Sequence, residues 1–374
     1  MKGKVLITGG AGFIGSHLAD ELLRHGYTVR ALDVLAAQVH LEERLPDYLD
    51  PEVELMIGDV RDPYAVRRAL EGVDGVFHLA AAVGVGQSMY EIADYTSVNN
   101  LGTAVLLEAL VERPVGRLVV ASSMSLYGEG LYRDEAGHIR SGLRRSRSQL
   151  QRADWEVRDE RGGRLSPVPT PETKAPDLSS VYALSKYDQE RLCLMIGETY
   201  GFPAVALRFF NAYGPRQALS NPYTGVLAIF ASRLLNGNPP LIFEDGEQRR
   251  DFVSVYDVVQ ACRLAYESSN TAGVAGQVFN VGSGESFSIR ELAQRMGVVL
   301  GLSDIGVEVT GKYRAGDIRH CFSDISRARQ VLSYAPRIAI EEGLQELAEW
   351  LPRQQAVDRV TVARDELASR GLTL

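Results

Sequence analysis

The chain has 374 residues, 45% of them hydrophobic and 24% charged, a balance that suits a globular protein with one large core or two lobes sharing a cleft. A formal net charge of −8 gives no support to nucleic-acid affinity, so any anionic ligand must be met by local arginines. The three cysteines Cys193, Cys262 and Cys321 lack CxxC spacing and the six histidines lack ligand spacing, which argues against a metal centre or a dithiol redox motif.

Residues 4–8 form a short apolar run ending at glycines and predict a buried strand. Ile14, Leu18 and Leu22 then recur every four residues until Gly26, the pattern of a helix packed on a sheet. Further buried-strand runs occupy 27–33, 53–57, 76–80, 118–122, 205–209 and 278–281, with helical patterns between most of them. Strands alternating with helices imply an α/β fold, a Rossmann-type doubly wound parallel sheet, because parallel neighbours need crossover connections. The expected division is a cofactor-binding domain over 1–210 and a smaller C-terminal substrate-binding lobe over 211–374, with the strand near 278–281 returning to the first domain. An insert at about 129–180 is rich in Arg, Ser and Pro, and Pro167, Pro169, Pro171 and Pro176 argue against regular structure late in it. A solvated flexible loop is the expected state of this segment, with its arginines as a lid or partner contact as the alternatives. The N-terminus shows no apolar leader and no stretch reaches roughly 18 uncharged apolar residues. The expectation is a cytoplasmic protein with no membrane partner.

Two groups of residues carry chemistry. Thr8-Gly9-Gly10-Ala11-Gly12-Phe13-Ile14-Gly15 sits between a strand and a helix. Its glycines allow a tight turn, backbone approach to a pyrophosphate and close helix–strand packing, while the helix N-terminus offers free N–H groups. Asp33 ends the second strand run, where a carboxylate accepts ribose hydroxyls and repels a 2′-phosphate, which favours NAD over NADP. Asp59, at the end of the third strand run, is placed to reach the adenine edge. The second group is Tyr182 and Lys186, four residues apart on one helical face, with Ser123 upstream at a strand end. A phenol, an ammonium and a hydroxyl can move a proton while hydride leaves the same carbon. The ammonium and a cationic nicotinamide are expected to lower the phenol pKa from about 10.

TGGAGFIG at 8–15, GDV at 58–60, HLAA at 78–81, NNLGT at 99–103, SSMSLYG at 122–128, YALSK at 182–186, RFFNAYGP at 208–215 and RRDFVSVYD at 249–257 follow one another in order. On these motifs the chain resembles the extended short-chain dehydrogenase/reductase family of nucleotide-sugar epimerases and dehydratases over nearly its whole length. The resemblance implies Ser123, Tyr182 and Lys186 as the catalytic set. It implies NAD held by Gly9, Gly12, Phe13, Ile14, Gly15, Asp33, Asp59, Val60, Leu79, Ala80, Ala81, Asn99, Tyr182 and Lys186. Ser123 would hydrogen-bond the substrate oxygen on which Tyr182 acts, Asn211 would hydrogen-bond the sugar diphosphate, and Arg250 and Arg314 would grip its phosphates. It also implies a homodimer through helices near 102–112 and 182–200.

One departure narrows the reaction. Dehydratases of this family resemble one another in an Asp-Glu pair directly after the catalytic Ser/Thr, and here those positions are Met124 and Ser125. Neither cycles a proton at neutral pH, so redox at C4 of the sugar remains. The expected activity is 4-epimerisation of a dTDP- or UDP-hexose through a 4-keto intermediate. PVPTPETK at 167–174 and NPYTGV at 221–226 are similar to bacterial enzymes that act on dTDP-L-rhamnose. A 4-ketoreductase, a sugar-acid decarboxylase and a non-enzymatic dinucleotide sensor are the competing readings.

Overall fold

Seven apolar runs line up as neighbours in one parallel sheet. In a computed structural model that describes residues 2–40, 45–219, 221, 223, 225–269, 271–313, 317–354 and 360–373, these strands are β1 (Lys4–Thr8), β2 (Thr28–Asp33), β3 (Glu54–Ile57), β4 (Gly75–His78), β5 (Arg117–Ser123), β6 (Ala204–Phe209) and β7 (Val278–Val281). Their order is β7-β6-β5-β4-β1-β2-β3. The direction of winding reverses between β1 and β4, and ligands of such sheets bind at that switch point, beyond the carboxyl ends of the strands. All the predicted sheet strands are present, with one difference in environment. The 53–57 run reads as a buried strand, but β3 lies at one edge of the sheet and is only partly covered, with Ile57 68% exposed.

Helices pack both faces. α1 (Phe13–Arg24) and α4 (Val255–Glu267) cover one face, joining β1, β2, β5 and β6 residues in a cluster that includes Val5, Leu18, Leu22, Val119, Val258 and Phe279. α2 (Gly102–Glu112) and α3 (Val181–Tyr200) cover the other, with Leu6, Leu106, Leu110, Val120 and Leu194 in its cluster. A separate apolar cluster of Tyr213, Leu227, Phe230, Ile242, Phe252, Leu292, Met296 and Leu344 lies among the residues after 211.

The 129–180 segment departs from the expected flexible loop. Strands Leu131–Arg133, Ile139–Arg140 and Ser166–Val168 form a three-stranded antiparallel sheet, and Pro167 is tolerated because its strand is at the edge. Tyr132, Val157 and Leu165 make a small core of their own. Buried charges fix this unit to the C-terminal part of the chain. The Arg145 side chain, 3% exposed, pairs with Glu244 at 2.7 Å, and the fully buried Arg319 pairs with Glu156, Glu244 and Asp245 at 2.5 to 3.0 Å. The sequence conceals this because the partners lie 74 to 163 residues apart and follow no period.

Candidate active site

The glycine turn at the end of β1 leaves no space for side chains. Gly9 has φ +72°, and a Cβ on Gly15 would stand 2.1 Å from the Gly9 carbonyl oxygen. Gly12 is the N-cap of α1 and supplies no side-chain cap, so the first amides of that helix, at partly exposed Phe13 and Ile14, point out of the turn uncapped. Beside them, Asp33 accepts the Ala11 amide on Oδ2 at 3.0 Å and the Leu35 amide on Oδ1 at 2.9 Å. One lone pair per oxygen remains for a diol. An uncapped helix end, a backbone-only cradle and a fixed carboxylate fit a dinucleotide pyrophosphate and its ribose.

Leu79, Ala80 and Ala81 lie just beyond β4, partly exposed on the same edge. Val60 does not: its side chain is 6% exposed and packs in the apolar cluster beneath α2, close to Gly102. Asp59 is also engaged elsewhere. Its carboxylate accepts the Arg61 amide at 2.8 Å and pairs with the Arg61 guanidinium at 2.5 Å, which holds it below the usual carboxylate range. An adenine edge would have to compete with that ion pair.

The catalytic candidates converge at the end of β5. Ser180 caps α3, its hydroxyl accepting the Ala183 amide, and Tyr182 and Lys186 follow on the first turns of that helix. The Tyr182 amide donates to the Ser88 hydroxyl at 3.0 Å, which pins the helix start to the segment after β4. Ser123, 9% exposed, lies beside the Tyr182 phenol. Burial pushes the phenol pKa up, and the nearby Ser123 hydroxyl opposes the rise. The expected lowering is therefore absent in the protein alone. Burial is the physical reason, and Lys186, 3% exposed, directs Nζ at Gln189 Oε1, 2.7 Å away. Burial lowers the Lys186 ammonium to about 8.

Gln189 belongs to a buried chain that sequence reading missed. Its Nε2 donates to Thr103 Oγ1 at 2.8 Å, Thr103 contacts His78 Nε2 at 2.9 Å, and His78 Nδ1 meets Thr8 Oγ1 at 2.8 Å. Burial holds His78 neutral, with its pKa pushed down to about 3. Lys186 and Gln189, three apart on one helix, were the available signal. Nothing in the sequence ties His78 or Thr103 to them. Asn99 acts in the same support. Fully buried in a π-helical turn (Thr96–Leu101), it accepts the Ala82 amide at 2.7 Å and donates to Ala82 O and Ser185 Oγ at 3.1 and 2.8 Å. Both its N–H groups are used, so the structure places it as a bridge between the β4 edge and α3.

On the substrate side, Asn211 Oδ1 is buried with no hydrogen-bond partner among the described residues, which leaves an acceptor for a ligand donor. Arg250 Nη1 donates to the carbonyls of Arg249 and Arg319, each at 3.0 Å, and Nη2 donates to that of Ile318. Nη2 also pairs with Asp317 Oδ1 at 3.8 Å, while Nε makes no hydrogen bond among the described residues, so the Nε edge is the side left to meet a phosphate. Arg314 lies outside the described residues, as do Pro222 and Thr224 of the 221–226 run. Ser125 Oγ is buried without a partner, and Met124 packs in an apolar cluster with Leu126 and Phe210.

The geometry agrees with what comparisons find. The model of the family described as NAD dependent epimerase/dehydratase matches residues 5–144 and 162–282, skipping part of the insert. The chain is 34% identical over 363 residues to a dTDP-L-rhamnose 4-epimerase of Burkholderia thailandensis, covering 94% of this chain and 95% of that one. It is similar in structure to the UDP-glucose 4-epimerase of Thermotoga maritima solved with UDP-glucose, at 30% identity and a TM-score of 0.75, with 94% and 99% of the two chains covered. It is likewise similar to the Thermus thermophilus UDP-glucose 4-epimerase solved with NAD, at 30% identity and a TM-score of 0.73, with 94% and 100% covered. The chain belongs to the NAD-dependent epimerase/dehydratase family, enzymes of nucleotide sugars whose cofactor is NAD.

Proposed function

We propose that this enzyme is a nucleotide-sugar 4-epimerase that interconverts C4 epimers of a dTDP- or UDP-hexose, with dTDP-L-rhamnose and dTDP-6-deoxy-L-talose as the first pair to test. The observation that carries the reading is the meeting of Ser123, Tyr182 and Lys186 at the β5 edge, with Met124 and Ser125 where a dehydratase needs an acid–base pair. NAD, when bound, supplies a reversible hydride acceptor. Tyr182 removes the 4-hydroxyl proton and later returns it, and Ser123 holds the same oxygen. Lys186 lies within one helical turn and stabilises the phenolate once released from Gln189. Asn211 and the Nε edge of Arg250 hold the diphosphate while the 4-keto sugar turns over. The sugar itself must be held loosely, so binding energy belongs at the nucleotide end.

Residues 1–210 serve as the cofactor domain in this reading and 211–374 mainly as the substrate lobe, supported by the separate apolar cluster after 211. A homodimer through α2 and α3 is part of it. Leu101, Leu184 and Met195 are exposed on that side, and a shallow trough there is lined by Ala93, Thr96, Leu101, Ala104 and Leu192. We place the protein in the cytoplasm. Its three buried cysteines are unpaired, as a reducing compartment favours, and no helix among the described residues is long and apolar enough to cross a membrane.

The test is NMR of purified protein with dTDP-L-rhamnose, UDP-glucose and UDP-glucuronate, with no cofactor added. A new C4 epimer is the expected result and identifies the substrate. Turnover only with added NADH and a 4-keto sugar would move the enzyme to the ketoreductases, and loss of CO2 from the uronate to the decarboxylases.

A further inference from the structure

We infer that the folded insert is the positioning device for the diphosphate-binding Arg250, and that the buried carboxylate of Glu129 is its principal link. The inference rests on the nucleotide-sugar reading above and assigns the insert a role in that same site.

The segment Asp317–His320 lies between the insert and Arg250. Glu129 is 9% exposed and accepts the Arg319 amide on Oε1 at 2.6 Å and the His320 amide on Oε2 at 3.2 Å. Oε2 also accepts the Tyr132 hydroxyl at 2.8 Å. The next residue, Gly130, donates its amide to the His320 carbonyl at 2.8 Å, and a Cβ there would stand 2.8 Å from that oxygen. Arg145 donates from Nη2 to the Asp317 carbonyl at 2.9 Å while its other end pairs with Glu244. Insert residues thus hold the backbone at 317, 319 and 320. The carbonyls left between these anchors belong to Ile318 and Arg319, and they are the ones that receive the Arg250 guanidinium.

This arrangement decides which edge of Arg250 faces a ligand. Long cationic side chains lose rotamer freedom on binding, so fixing three of five N–H groups in advance removes part of that cost. The carboxylate is suited to the task because it accepts from successive amides and does so with charge-assisted bonds. A glutamine at 129 would keep one acceptor and turn an NH2 group toward a backbone N–H.

The experiment is a double-mutant cycle on binding, read by calorimetry with dTDP and UDP as probes. Glu129→Gln is expected to weaken dTDP or UDP binding about tenfold, and Arg250→Ala by about 10- to 100-fold. The double variant should bind no more than about twofold worse than Arg250→Ala alone, because Glu129 then has nothing to position. Tyr132→Phe leaves the carboxylate on both amides and is expected to keep affinity within about twofold while loosening the insert. If the Glu129→Gln and Arg250→Ala losses multiply, or Tyr132→Phe weakens binding as much as Glu129→Gln, the positioning role is overturned and the function stands. If the unmodified enzyme binds neither probe, the nucleotide-sugar reading fails and takes the inference with it. Should Glu129→Gln not fold, Arg145→Lys, which keeps a cation beside Glu244 but gives up the two-pronged reach to the Asp317 carbonyl, enters the same cycle with the same expectation of non-additivity.

Discussion

At the scale of single residues, Tyr182 and Lys186 show how far a motif specifies a site. YxxxK spacing places both side chains on one face of α3, and the Ser180 cap and the Ser88 hydroxyl fix the start of that helix. The motif does not show what else those side chains touch. Lys186 is held by Gln189, and burial raises the Tyr182 pKa, so the phenol is neutral in the protein alone. Under the proposed mechanism, proton removal depends on charge brought near Tyr182 when the cofactor binds. Tyr182→Phe keeps the ring contact with Tyr95 but removes the hydroxyl proposed to take the 4-hydroxyl proton. It is expected to lower kcat by about 10²- to 10⁴-fold while leaving dTDP affinity near that of the unmodified enzyme. Unchanged turnover in the sugar assay would reject the assigned base.

At the scale of elements, the seven strands of the sheet were legible because each is a short apolar run bounded by turn residues, and such runs survive as strands in a parallel sheet. What the pattern cannot show is how fully helices and loops cover each strand, and this is why 53–57 reads as buried while Ile57 is exposed. The insert was illegible for a different reason: it is tied to the rest of the chain by ion pairs such as Arg145–Glu244 and Arg319–Glu156, and charge partners leave no periodic trace. Asp59 and Asn99 illustrate the same limit inside the site, since Arg61 and Ser185 claim them in ways that spacing does not announce. Another such tie joins β6 to α3. Arg208 forms a two-pronged bond with Glu190 at 2.9 and 2.6 Å and donates to the Tyr127 hydroxyl, all of it buried. Arg208→Met leaves the Glu190 charge without its main partner and is expected to cost about 3–5 kcal/mol in urea unfolding. The double variant Arg208→Met/Glu190→Leu removes that stranded charge and should recover much of the loss. A double variant as unstable as the single would show that packing, not charge, sets the cost.

At the scale of the whole molecule, two buried histidines tie the stability of the fold to pH. His17 on α1 bonds the Pro215 carbonyl at 3.1 Å and packs edge-on against Tyr256 of α4, so it joins the cofactor cradle to residues beyond 211. Burial, with Arg216 nearby, pushes its pKa down to about 4. His78 lies under the switch point of the sheet with its pKa pushed down to about 3. Both are neutral when folded and titrate near 6.5 when unfolded. Above that value the two states bind the same protons at these sites and nothing is lost. Below it the unfolded chain takes up protons that the folded chain refuses, so stability falls as pH drops from about 6.5 toward 4. Each site contributes about 1.4 kcal/mol per pH unit across that window. His17→Gln keeps a donor for Pro215 and removes one titrating site. Denaturant melts between pH 5 and pH 6 should then show a slope of stability against pH lower by about one proton than in the unmodified enzyme. An identical slope would mean that His17 protonates freely in the folded state, and that the contact joining α1 to Pro215 does not exclude water as the structure implies.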